Sequence, residues 1–243
     1  SVVAQTALGV GAMENYTGGA GNTAVGAYAL TAATPTYCTA VGYRALNVCT
    51  GANNTACGYE ALRDNTTGSG NTATGAYALR VQGTGNNNTA MYSMRSMTAG
   101  SNNTGLEGLQ FAGSGSGNCA IGAFTLNDNT GDFNTALGHN AHTDNIAGDF
   151  NAALGALALQ HSGGTGPSSV NFCTAAGRFA YTSAMGNNMT SIGSTAVGPA
   201  ANVIRFGNAA NNTGLTGGFG AWQNLSDARF KKDVRENVPG LEF

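Results

Sequence analysis

Charge is scarce in this sequence. Charged side chains make up 9% of it, against about 25% in an ordinary globular domain. No lysine precedes Lys231, and there are only 4 prolines. A formal net charge of −2 supplies no basic patch for nucleic acid. No apolar run approaches the roughly 18 residues that a membrane helix needs, so membrane insertion is not expected. Gly-Lys-Ser/Thr is absent, which argues against a phosphate-cradling loop, and nothing implies a cofactor. The cysteines number 5: Cys38, Cys49, Cys57, Cys119 and Cys173. They are irregularly spaced and form no CxxC, which argues against zinc and thioredoxin chemistry. They read as buried thiols, because a free cysteine behaves as a small apolar residue. Little charge together with 42% hydrophobic residues argues against disorder.

What is abundant is glycine, at 38 residues, and it recurs in a pattern. The unit reads Asn-Thr-Ala-apolar-Gly-x-x-Ala-Leu. Clear copies are NTAVGAYAL at 22–30, NTACGYEAL at 54–62 and NTATGAYAL at 71–79. QTALGVGAM (5–13), CTAVGYRAL (38–46), NCAIGAFTL (118–126), NTALGHNAH (134–142) and NAALGALAL (151–159) follow it closely. NTAMYSM (88–94) and NTGLEGL (103–109) are degenerate, and CTAAGRFAY (173–181) and STAVGPAAN (194–202) close the array. The second position falls at 6, 23, 39, 55, 72, 89, 104, 119, 135, 152, 174 and 195.

A period of about 16 is too short for helical-pair repeats, which need roughly 33 or more. It suits one turn of a β-solenoid. Each copy is expected to hold two short extended pieces hinged at the central glycine, with a thin lumen filled by Ala, Val and Leu. The recurring Asn22, Asn54, Asn71 and Asn134 have two readings: a hydrogen-bonded ladder, or acceptance of left-handed backbone. The intervening Gly, Asn, Asp and Thr read as loop. Stacked at about 4.8 Å, the turns give a rod of roughly 55–60 Å. Such a rod has little core, so its stability is expected to come from side-by-side, threefold association. Ser1 opens inside a repeat, which reads as a segment of a longer chain.

Residues 1–201 resemble the head repeats of trimeric autotransporter adhesins, whose shorter units share an apolar-Gly hinge. That resemblance implies left-handed β-rolls packed as a homotrimer. Further on, a β-like Val203-Ile204-Arg205-Phe206-Gly207 leads through a Gly-rich connector, 202–225, to Leu225-Ser226-Asp227-Ala228-Arg229-Phe230-Lys231-Lys232-Asp233-Val234. This stretch is similar to the start of the C-terminal intramolecular-chaperone domain of phage tail fibres, tailspikes and endosialidases, whose pattern is Ser-Asp-x-Arg-x-Lys and then an aliphatic. Val234 stands where Ile is common and Phe230 where Leu is common.

The second resemblance implies a domain at 226–243 that trimerises the fibre and cuts itself off between Leu225 and Ser226. Ser226 would be the nucleophile and Lys231 its general base, with Asp227 and Arg229 orienting the site. A serine needs such a base, and a desolvated lysine can serve. The same residues also suit a helix beginning near 227. Ser226 is a good N-cap, Asp227 favours the positive end of the dipole, and Phe230, Val234 and Val238 share a face.

Other candidates are weaker. His139 and His142 lie three apart, and repetition about a threefold axis would make a metal site conceivable; the plainer reading is surface or loop histidines. Asp128, Asp132, Asp144 and Asp149 have a calcium-loop composition without EF-hand spacing. Tyr28, Tyr43, Tyr59, Tyr77 and Phe124 either stack on sugars or pack between turns or protomers. The repeats hold no paired carboxylates for a glycosidase. The expected protein is an all-β homotrimeric solenoid: a phage tail fibre that binds a host-surface glycan or protein receptor. A bacterial surface adhesin or extracellular filament is the alternative, and a glycan-degrading tailspike the second.

Overall fold

The computed structural model describes residues 4–31, 34–81, 83–97, 99–107, 114–127, 129–143, 147–160, 170–182, 187–198, 201–207 and 213–215. Its strands, in chain order, are β1 Thr6–Leu8, β2 Thr23–Val25, β3 Thr39–Val41, β4 Thr55–Cys57, β5 Thr72–Thr74, β6 Thr89–Met91, β7 Thr104–Leu106 and β8 Cys119–Ile121. They continue as β9 Thr135–Leu137, β10 Ala152–Leu154, β11 Thr174–Ala176, β12 Tyr181–Thr182, β13 Thr190–Ile192, β14 Val197–Gly198, β15 Ile204–Phe206 and β16 Thr213–Leu215. Among the described residues there is no helix.

All strands but β12 and β14 belong to one 14-stranded sheet ordered along the chain. Successive strands pair in parallel and in register, so Thr23 lies beside Thr39 and Ala24 beside Ala40. The chain is therefore a parallel β-solenoid with one main strand per turn of about 16 residues. The last pair, β15 with β16, is antiparallel. At about 4.8 Å per strand the sheet is roughly 60 Å long.

Three findings differ from the expected turn. The first concerns the half of each unit after the glycine, which is mostly not extended. Tyr28 and Leu30 have φ of 57° and 50°, and the pattern recurs at Arg44 and Leu46, Glu60 and Leu62, and Tyr77 and Leu79. An isolated left-handed residue costs about 1–2 kcal/mol, but here it aims main-chain donors along the stack. Arg44 N–H donates backward to Ala27 C=O at 3.0 Å, and Leu46 N–H donates forward to Ala61 C=O at 3.0 Å. Every turn is thus bonded to both neighbours, which leaves few main-chain groups to orphan.

The second concerns the lumen. A strand alternates faces, so in each Thr-Ala-Val the alanine points in while threonine and valine point out. Ala24, Ala40, Ala56 and Ala73 are fully buried, and so are Leu30, Leu46, Leu62 and Leu79. Each buried leucine contributes about 1.5–3 kcal/mol. Valine lies outside: Val41 is 38% exposed.

The third concerns the array's end. The strand of the penultimate parallel turn is β13, not a piece of 194–202; Val197–Gly198 instead pairs with Tyr181–Thr182 in a separate two-stranded sheet. Thr190-Ser191-Ile192-Gly193 is the real unit, which restores a 16-residue step from Thr174. Ile204–Phe206 then pairs in parallel with it.

The hinge glycines stack closely. Gly42 has φ of 134°, a conformation closed to side chains, and a Cβ there would strike the carbonyl of Gly58. In the two degenerate units, Tyr92 and Glu107 replace this glycine and turn instead at φ of 50° and 56°.

Candidate functional site

Inside, the recurring asparagines form a ladder. Asn71 is fully buried. Its Nδ2 donates to Gly85 C=O at 2.9 Å, and its Oδ1 accepts from Asn88 N–H at 2.9 Å. The same pair of bonds recurs at Asn88, Asn103, Asn118, Asn134 and Asn151. The left-handed residue is the one before the asparagine: Asn53, Asn87, Phe133 or Phe150.

A second ladder near the surface runs the opposite way. Asp132 Oδ1 accepts Ser116 N–H at 2.7 Å, Asp149 Oδ1 accepts Asp132 N–H at 2.7 Å, and Asn171 Oδ1 accepts Asp149 N–H. These two aspartates therefore serve as main-chain acceptors. Asp128 and Asp144 lie outside the described residues.

The outer face carries three features. The first is an aliphatic row along the sheet: Met91, Ile121, Leu137, Leu154 and Ile192 are 38–44% exposed, and Leu8 reaches 67%. No charged residue shares the strands β1–β11 and β13 with it.

The second is a patch of tyrosine and arginine on the early turns. Tyr43 and Tyr59 stack at 5.3 Å, and Tyr28 and Tyr77 flank them edge-on. Arg44 lies 5.2 Å from the Tyr43 ring, and Arg95 4.5 Å from that of Tyr77. Glu60 is nearly buried between Arg63 and Arg80, each at 3.0 Å. Aromatics here pack between turns, as one of the two sequence readings had it.

The third feature is a stack of phenylalanines. Phe133, Phe150 and Phe172 are 50–58% exposed, with ring planes 12° and 2° apart. Their faces cover one another, so edges rather than faces meet the solvent.

The structure separates the environments of the two histidines. His139 is exposed and meets the Phe124 ring edge-on at 6.0 Å. His142 is fully buried, and burial pulls its imidazole down to about 4. It fills the leucine position of its unit, NTALGHNAH, a placement legible in the repeat itself. Among the described residues, no group of three His, Cys, Asp or Glu side chains could hold a metal ion. Cys38, Cys49 and Cys173 are buried as expected, but Cys57 is exposed and Cys119 partly so. Cys57 takes the outward third place of its strand, where other turns carry valine or leucine. Ser226, Asp227, Arg229 and Lys231 lie outside the described residues, as does the helix expected from 227.

Neither a protein-family model nor a curated protein matches the chain.

Proposed function

We propose that the chain is the shaft and receptor-binding part of a homotrimeric phage tail fibre, ending at a self-processing chaperone junction. The observation that carries this reading is the uncharged, largely aliphatic row on the outer face of a narrow one-strand-per-turn solenoid, interrupted at Cys57, Thr74 and Ala176. A long apolar stripe on so thin a rod favours lateral association of copies. The rod is stiffened by two side-chain ladders, which suits a mechanical role. The tyrosine–arginine patch has the composition of a binding hot spot and serves as the receptor-facing surface.

The phage assignment, and with it a place in the virion tail, rests on the resemblance of Leu225–Val234. The same rod serves equally in a bacterial surface adhesin or extracellular filament, which the repeat resemblance favours. A glycan-degrading tailspike fits less well. Glu60 is held by arginines, Asp132 and Asp149 serve the backbone, and Glu14 and Glu107 lie several turns apart.

The test is the mass of boiled and unboiled protein, expressed with any sequence that follows Phe243 in its gene, as wild type and as Ser226→Ala. We expect a heat-resistant trimer of chains ending at Leu225, and an uncut Ser226→Ala. An uncut wild-type trimer would remove the self-processing and keep the fibre. A monomer would remove the fibre.

A further inference from the structure

The lumen holds a repeated pair of facing positions, eleven residues apart. In one turn they are Asn54 and Asn65, whose amides both donate to Gly68 C=O, at 2.8 and 2.9 Å. In another they are Asn118 and Asn129, which share Gly131 C=O at 2.9 and 3.2 Å and touch each other at 3.4 Å. In the turn of β3 both positions are cysteine. Cys38 and Cys49 share Gly51 C=O in the same way, each at 3.4 Å. Both are fully buried. A lone cysteine filling an apolar gap would not need its partner position to change too. Here the amide pair is replaced as a pair, in the geometry that faces the two side chains across the lumen.

We propose that Cys38 and Cys49 are a disulfide-forming pair, which closes a covalent bridge across one turn of the solenoid when the chain meets a small-molecule disulfide. The structure holds both as free thiols. The thiolate of one cysteine attacks the external disulfide, breaks its S–S bond and releases one thiol, which takes up a proton. The second cysteine loses its proton and attacks the mixed disulfide, releasing the other thiol. The two cysteines are oxidised, and the external disulfide is reduced by two electrons. Because the pair is enclosed by the next turn, exchange belongs to the folding chain, before that turn docks.

Arg44 lies between the two cysteines, so trypsin reads the bridge directly. Unfolded Cys57→Ser protein is refolded with oxidised and reduced glutathione, and the folded fraction is isolated. It is alkylated in denaturant and digested without reduction. The expected product joins the peptide ending at Arg44 to residues 45–63, leaving only Cys119 and Cys173 alkylated. Folded protein in which Cys38 and Cys49 are both alkylated would overturn the proposal, as would a bridge from either one to another cysteine. A Cys38→Asn/Cys49→Asn chain reproduces the Asn54–Asn65 pair of the following turn. It is expected to fold and to melt at the same temperature with and without reductant, whereas the bridged chain melts lower once reduced. Equal melting of reduced and oxidised bridged protein would show that the bridge constrains nothing.

Discussion

His142 stands in the column of Leu30, Leu46, Leu62, Leu79 and Leu126, and like them it is fully buried. Its left-handed backbone, at φ of 56°, also matches theirs, so the turn accepts the imidazole as a leucine substitute. Desolvation is what distinguishes it: the ring falls from 6.5 to about 4. The folded chain keeps the ring neutral, while an unfolded chain protonates near its ordinary value. Stability is therefore full above about pH 6.5 and is lost as pH falls towards 4, by about 3 kcal/mol at most. His142→Leu is expected to abolish this component. Melting curves of the two proteins at pH 7 and pH 4.5 should diverge only in the acid. The difference should amount to roughly 2–4 °C for each kcal/mol. Parallel loss in both proteins would place the acid sensitivity elsewhere. The burial itself was legible in the repeat, since the ninth place of the unit is leucine at Leu30, Leu46, Leu62, Leu79, Leu126 and Leu159. The histidine pair nevertheless read as a metal candidate because sequence spacing ignores which side of a left-handed turn each residue takes.

At the scale of the turn, the period was the most legible feature, and the second position of the unit marked the strand through β11. Two expectations differ from the structure. The unit reads as two strands because its residues have strand-like composition, yet the half after the glycine turns, and it bonds both within itself and to the two neighbouring turns. Alternating left-handed residues can then satisfy the backbone without a second strand. The last copy differs for a separate reason: STAVG at 194–198 imitates the unit, while the less typical Thr190-Ser191-Ile192-Gly193 occupies its place. What holds each turn is the asparagine ladder, and its strength is measurable. Asn71→Ala would leave Gly85 C=O without that donor and Asn88 N–H without that acceptor, both inside the core. The expected loss is about 2–4 kcal/mol, from two buried groups at roughly 1–3 kcal/mol each with some relaxation. Denaturant unfolding of wild type and Asn71→Ala measures it. Asn71→Asp should cost more, because it keeps the acceptor but buries a charge and removes the donor. If Asn71→Asp were the milder change, the ladder would not depend on amide donation.

For the whole molecule, the governing fact is the mismatch between length and girth. A sheet 14 strands long is backed by one buried column of alanine and another of leucine. Such a rod buries little apolar surface per residue. Its outer row of Met91, Ile121, Leu137, Leu154 and Ile192 faces out at 38–44% exposure, in a chain that places charge almost nowhere on its strands. An isolated rod has no reason to carry so many aliphatic residues in that row, since threonine folds equally well in the adjacent outward column and, at Thr74, in the row itself. In the proposed trimer, association of copies through the row would supply the missing burial. Ile121→Lys/Leu137→Lys/Leu154→Lys tests this directly. The three side chains point outward from consecutive strands, so the solenoid should form and keep its far-ultraviolet circular dichroism. Three charges a strand spacing apart on each copy would face the same charges on its neighbours, in a surface that must lose water to associate. Light scattering should then report a monomer, against the trimer proposed for the wild type. A substituted chain that stays trimeric would move the contact away from the sheet face. The Phe133–Phe150–Phe172 stack, whose ring edges form another extended apolar surface on the rod, would be the next place to introduce charge.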